Sequence, residues 1–164
     1  MKEIPLTQGK IALVSDCDYD RVSQYKWYAS FWQGRYYARR SVGKNKKERL
    51  HRFILGITDP EVFVDHRDGN TLNCCRENLR ACSPQENSWN RAKILREDTS
   101  SPYKGVHWDQ SKGMWAASIR YDGEYYSLGY FDDEIDAAEA YDEQALFFFG
   151  QFARLNFNRN NYES

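Results

Sequence analysis

The stretch Val64–Arg80, VDHRDGNTLNCCRENLR, holds most of the chemistry in this chain. Its lead-in, Val62-Phe63-Val64, is a short β-branched and aromatic run that reads as a strand ending at Asp65-His66. The polar, turn-rich RDGNTLN follows, and Asn78-Leu79-Arg80-Ala81-Cys82 reads as a returning strand. Next comes Ser83-Pro84-Gln85-Glu86, a helix start: Ser83 can cap, Pro84 suits the first helical position, and Glu86 can complete a capping box. The unit over Val62–Lys93 is therefore expected to run strand, loop, strand, helix.

Three readings compete for this unit: a metal-dependent nuclease centre, a zinc knuckle, or a polar loop with an incidental histidine. Zinc needs paired thiolates at CxxC-like spacing with further ligands, and adjacent Cys74-Cys75 followed by a lone Cys82 lack it. Phosphodiester hydrolysis needs a water, a base to deprotonate it and positive charge near the leaving oxygen. Asp65-His66 at a strand end and Asn87 in the first helical turn can supply these. At the strand end the pleat is expected to relax so that both neighbours line one cleft. A hard ion such as Mg²⁺ takes oxygen ligands and keeps several waters, so one carboxylate and one amide oxygen suffice beside a phosphate. His66 suits the base, because an unperturbed imidazole titrates near neutral pH.

Outward toward the N-terminus, Lys10–Val14, Lys26–Phe31, Tyr36–Val42 and Glu48–Phe53 read as strands, with turns at Gln33-Gly34 and Gly43-Lys44-Asn45 and a helical turn over Asp18–Tyr25. Arg35, Arg39, Arg40, Lys46, Lys47 and Arg49 lie on this meander among aromatic residues, a composition suited to DNA phosphates. Toward the C-terminus, RAKILREDTSSP decays into a charged linker. Beyond it, Tyr103–His107, Trp115–Tyr121 and Tyr125–Phe131 read as strands, the last two joined at Asp122-Gly123. Asp132–Phe149 is an amphipathic helix, and Gly150 fits its end.

The 164 residues carry 41% apolar and 16% aromatic side chains, too hydrophobic for a disordered chain. The net charge of −1 hides an asymmetry. Residues 1–56 hold twelve Lys and Arg against five Asp and Glu; residues 101–164 hold five against eleven. A basic front of this kind points to a polyanionic partner. No secretory h-region, membrane span or disulfide spacing is evident, so an intracellular, reducing location, cytoplasmic in a phage or bacterial setting, is expected.

VDHRDGNTLNCCRENLR followed by SPQENSWN resembles the HNH endonucleases of phage and intron-homing type, over roughly residues 48–93. The upstream LHRFILG is similar to the strand-to-helix segment that precedes this motif in the family. The resemblance implies a ββα-metal fold in which Asp65 and Asn87 hold one Mg²⁺ or Mn²⁺, His66 is the general base, and Asn78 pins the loop. It also implies products with 5′-phosphate and 3′-hydroxyl ends. YKGVHW, KGMWAASIR, LGYFDDEIDAAEAYDEQALFFFG and LNF resemble the APETALA-type DNA-binding domain of plant ethylene-response factors, over about residues 101–158. Carried over, its DNA contacts fall on Lys104, Trp108, Lys112, Trp115 and Arg120. Relatives commonly have Asn or Arg where Cys74-Cys75 stand, a loss of a phosphate contact beside the loop.

The expected architecture is α+β: a β-meander leading into a ββα-metal motif over 1–93, a linker over 94–102, and a three-stranded antiparallel sheet on one helix over 103–158. The expected function is metal-dependent cleavage of double-stranded DNA. The rival is a non-catalytic, sequence-specific DNA-binding protein that keeps the same scaffold.

Overall fold

In the computed structural model, which describes residues 1–157, the chain is α+β and divides into two compact units, Met1–Asn87 and Ser88 onward. Position 158, the last of the expected C-terminal domain, lies outside the described residues. The division falls earlier than the expected 94–102 linker because Trp89 and Lys93 already belong to the second unit. Trp89 stacks on Phe149 with ring centroids 4.8 Å apart, and Lys93 Nζ donates to the carbonyls of Tyr103 and Val106.

The first unit opens with a hairpin of β1 (Lys2–Pro5) and β2 (Ile11–Val14), then helix α1 (Asp16–Ser23). Strands β3 (Tyr28–Trp32), β4 (Arg35–Ser41) and β5 (Lys47–Arg49) form an antiparallel sheet in that order. Gln33 and Gly34 both take positive φ at the β3–β4 turn, the twist a two-residue hairpin requires. The expected strand Glu48–Phe53 is corrected: it stops at Arg49, and helix α2 (Leu50–Leu55) begins at once. Leu50, His51 and Ile54 are all buried, an i, i+1, i+4 pattern that a helix places on one side and the alternation of a strand does not. Gly56 ends α2 in the left-handed region, φ 68°, with its N–H donating back to Arg52 and Phe53.

Strands β6 (Phe63–His66) and β7 (Leu79–Cys82) pair antiparallel, and helix α3 (Pro84–Trp89) follows. The helix start forms as read: Ser83 N–H donates to Glu86 Oε2 at 2.7 Å, and Glu86 N–H to Ser83 Oγ at 3.2 Å. The core gathers Ile4, Ala12, Val14, Val22, Trp27, Ala38, Leu50, Ile54, Cys74 and Leu79. Cys74 is therefore a core residue, and its N–H donates to the Leu13 carbonyl, tying the β6–β7 loop to β2. Burial raises its thiol pKa, the opposite of what a metal-binding thiolate needs. Buried Asp18 on α1 pairs with Arg21 at 2.8 Å and Arg76 at 2.7 Å, and both arginines reach the Ile54 carbonyl at the end of α2.

The second unit is a sheet ordered β10 (Glu124–Phe131), β9 (Met114–Tyr121), β8 (Val106–Asp109), with helix α4 (Glu134–Phe149). Val106, Ala117, Ala137 and Ala138 form one buried cluster; Ile119, Tyr141, Ala145 and Phe149 form another. Small residues on α4 let helix and sheet approach closely. Gly105 holds the tightest point, where a Cβ would collide with the Tyr141 ring. Asn156 ties the chain back: its N–H donates to buried Asp142 at 2.8 Å, and its side-chain oxygen accepts from Lys104 N–H. Among the described residues, no helix is long and apolar enough to cross a membrane.

Candidate active site

The site is organised by the β6–β7 ribbon, in which Asp65 faces Arg80 and His66 faces Leu79 in direct register. The ladder thus runs through His66, so the pleat is not released as expected. Asp65 and His66 leave opposite faces of the ribbon.

On one face, Arg80 Nε donates to Asp65 Oδ2 at 2.8 Å, and Arg80 Nη2 bonds the same oxygen. Both residues are buried, at 8% and 5% exposure, and this pair fixes the carboxylate in place. On the other face, His66 meets His51 of α2 edge-to-face, centroids 5.0 Å apart, and His51 in turn meets Tyr37 at 6.1 Å. Burial lowers the His66 pKa to about 4, with Arg35 pushing the same way and Asp65 and Asp68 opposing. His51 is held well below the ordinary histidine range, first by burial, then by His66, Arg49, Arg52 and Arg39. At neutral pH both imidazoles are uncharged.

Asn78 closes the loop between the strands. Its side-chain amide donates to Asp68 Oδ1 at 2.9 Å and to the Asn73 carbonyl at 2.8 Å, while its oxygen accepts from Asp68 N–H. Two further bonds join this loop to β4: Arg35 Nη1 to the Gly69 carbonyl, and Thr71 Oγ1 to the Tyr36 carbonyl. Asn87 lies half-buried in the first turn of α3, its N–H donating to the Ser83 carbonyl. Among the described residues, no group of three or more His, Cys, Asp or Glu could hold a metal ion. The two residues expected to hold an ion, Asp65 and Asn87, carry hard oxygens, the donor type that suits an ion taking most of its shell from water and phosphate. Cys82, a buried thiol near Asp65, has its pKa raised to about 11, first by burial.

The cationic residues separate by sheet face. Register places Arg35, Arg39, Lys47 and Arg49 on one face of the β3–β5 sheet, with Tyr28, Trp32 and Tyr37. Arg40 is on the other. It pairs with Glu48 at 2.7 Å and stacks over Tyr25, Phe53 and Trp27, which commits it to packing instead of phosphate. Lys46 is exposed in the β4–β5 turn.

In the second unit, Lys104 Nζ donates to the Trp89 carbonyl at 2.6 Å, and burial lowers its pKa to about 8, so it is an internal tie. Trp115 packs on the helix side of the sheet, and Trp108, its register partner, meets it edge-to-face. Trp115 lies on the same face as Ala117 and Ile119, toward the helix, whereas Trp108 stays 38% exposed near the end of β8. Arg120 and Lys112 stay exposed over Tyr125 and Tyr130. Exposed His107 lies on the same outer face, as partner of Ala116 beside Tyr130. Strict alternation from buried Val106 is the signal that singles it out.

An interior Asp-His step, a pinned loop and a capped helix define a ββα nuclease-type motif. The HNH endonuclease family profile matches residues 55–89, which contain that motif. The chain is 35% identical over 154 residues to an uncharacterized HNH endonuclease of Acanthamoeba polyphaga mimivirus, covering 91% of this chain and 76% of that protein. It belongs to the HNH endonuclease family. Protein 3.8 of Escherichia phage T7 is 38% identical over 66 residues, 40% of this chain and 53% of that protein. An APETALA2-like protein of rice (Oryza sativa subsp. indica) is 42% identical over 64 residues, 39% of this chain and 15% of that protein.

Proposed function

We propose that the protein is a phage- or homing-type endonuclease that hydrolyses phosphodiester bonds of double-stranded DNA using one Mg²⁺ or Mn²⁺. Asp65 and Asn87 would hold the ion, which when bound supplies positive charge to the leaving 3′ oxygen. His66, uncharged at neutral pH, accepts the proton of the attacking water at an imidazole nitrogen. The negative charge of bound DNA raises its basicity from the low value set by burial. Arg80 holds the Asp65 carboxylate and Asn78 holds the loop; neither needs to touch substrate. The products carry 5′-phosphate and 3′-hydroxyl ends.

The observation that carries this reading is that consecutive residues of one strand are a buried carboxylate fixed by Arg80 and an imidazole that is uncharged at neutral pH. The second unit, a three-stranded sheet on one helix, serves as an APETALA-type module that holds duplex DNA through Lys112, Arg120 and His107. The similarity to the rice protein supports that assignment. The nuclease domain corresponds to the first compact unit and the module to the second, which divide between Asn87 and Ser88.

The test is nicking of supercoiled plasmid with Mg²⁺ or Mn²⁺. The protein nicks, His66→Ala lowers the rate by about 100-fold or more, and EDTA abolishes it. Equal nicking by His66→Ala in a clean preparation would sink the catalytic assignment.

A further inference from the structure

Arg39 and Arg49 stand directly opposite each other across β4 and β5. Like charges in register destabilise a sheet, so a fold that keeps them lacks a local reason to do so. No strand position registered on this face of the β3–β5 sheet is acidic; the nearby carboxylate, Glu48, pairs with Arg40 on the other side. Arg39 Nε is buried with no hydrogen-bond partner among the described residues. Arg49 is held over Trp32 and Tyr37 at 5.3 and 5.5 Å, which fixes its guanidinium plane without neutralising it. The pair is not remote from the histidines, since the charges of both Arg39 and Arg49 act on His51, which packs against His66.

We propose that Arg39 and Arg49, walled by Trp32 and Tyr37 and bordered by His51, form a phosphate subsite that grips a backbone phosphate of the DNA beside the one cleaved. This deepens the endonuclease reading and rests on it for the identity of the ligand. The shared anion relieves the repulsion between the two guanidiniums, and the fork of each presents paired N–H donors to its oxygens. Trp32 and Tyr37 hold the Arg49 guanidinium in place, and His51, uncharged, can donate one further hydrogen bond. The subsite is a positioning device, because its residues hold a phosphate that does not react.

The experiment measures binding of a short mixed-sequence DNA duplex by fluorescence anisotropy in EDTA, across a salt series, with the full chain. Arg39→Gln and Arg49→Gln each weaken binding by about tenfold and reduce the slope of log affinity against log salt by about one. Arg49→Lys keeps the slope but loses affinity, since an ammonium keeps the charge and loses the fork. Wild-type affinity and slope in both Gln variants overturn the subsite. If a Gln variant is unfolded by circular dichroism, Arg39→Lys and Arg49→Lys carry the test: lost affinity with retained slope supports the subsite, and wild-type affinity overturns it. Cleavage is scored separately on plasmid with Mn²⁺. Duplex binding that depends on Arg39 and Arg49 without any cleavage sinks the nuclease reading alone; cleavage that depends on His66 with no contribution from the arginines sinks the subsite alone.

Discussion

Two cross-strand pairs in the first unit make opposite use of an arginine. In the β6–β7 ribbon Arg80 faces Asp65, both are buried, and the guanidinium fixes the carboxylate. At the edge of the β3–β5 sheet Arg49 faces Arg39, and neither has a carboxylate on its face. A complementary buried pair belongs to the apo fold, and removing one partner leaves the other's charge in a low dielectric. A like-charged pair at a sheet edge belongs to a complex, because only an added anion makes it favourable. Arginine count cannot separate the two roles; the residue opposite decides.

The largest expected effect comes from breaking the complementary pair. Arg80→Gln lowers stability by about 3–5 kcal/mol, read by chemical denaturation; a loss below about 1 kcal/mol removes the contrast. A second lever is pH. His51 and His66 are both held below their unfolded value of 6.5, so they are neutral in either state above it. As pH falls from 6.5 toward 4, the unfolded chain takes protons that the folded chain refuses. Stability then drops by up to about 1.4 kcal/mol per pH unit for each histidine. The loss from His66 levels off near its folded value of about 4. Denaturation midpoints followed from pH 7 to 5 check this, and the same slope in a His51→Gln, His66→Gln double variant would contradict it.

Smaller effects sharpen the face assignment. Arg40→Gln costs about 1–2 kcal/mol of stability through its lost aromatic and Glu48 contacts, and leaves the salt slope of duplex binding unchanged. A shallower slope would return Arg40 to the DNA-contacting set. The smallest is in the second unit: Lys104→Met changes duplex affinity by less than about twofold, because a side chain tied to the Trp89 carbonyl contributes no phosphate contact. Arg120→Gln, measured beside it, weakens binding more.

Much of this was legible in the chain. The ribbon, the capped helix α3, the Asp122-Gly123 hairpin and helix α4 follow from alternation, turn residues and three- and four-residue spacing. These features are local and need no distant partner. Helix α2 was not read from propensity, since LHRFIL is as apolar and branched as a strand, although the resemblance of LHRFILG to a strand-to-helix segment pointed the right way. What separates the two is that neighbours Leu50 and His51 are buried together with Ile54, which the alternation of a strand does not allow. Cys74 looked like a lost phosphate contact and is a core side chain, because its backbone is tied to Leu13, some sixty residues earlier.

By itself the sequence determined the α+β elements and singled out Asp65, His66, Asn78 and Asn87, in a motif whose spacing is local, as the residues proposed to carry the chemistry. Tertiary structure alone decided which charges are used up. Arg40 and Lys104 are consumed inside their units, Arg80 is paired with Asp65, and Arg39 is set against Arg49. It also brought His51 to His66. Register and long-range packing set these outcomes, and a side chain's charge carries no record of the strand that will lie beside it.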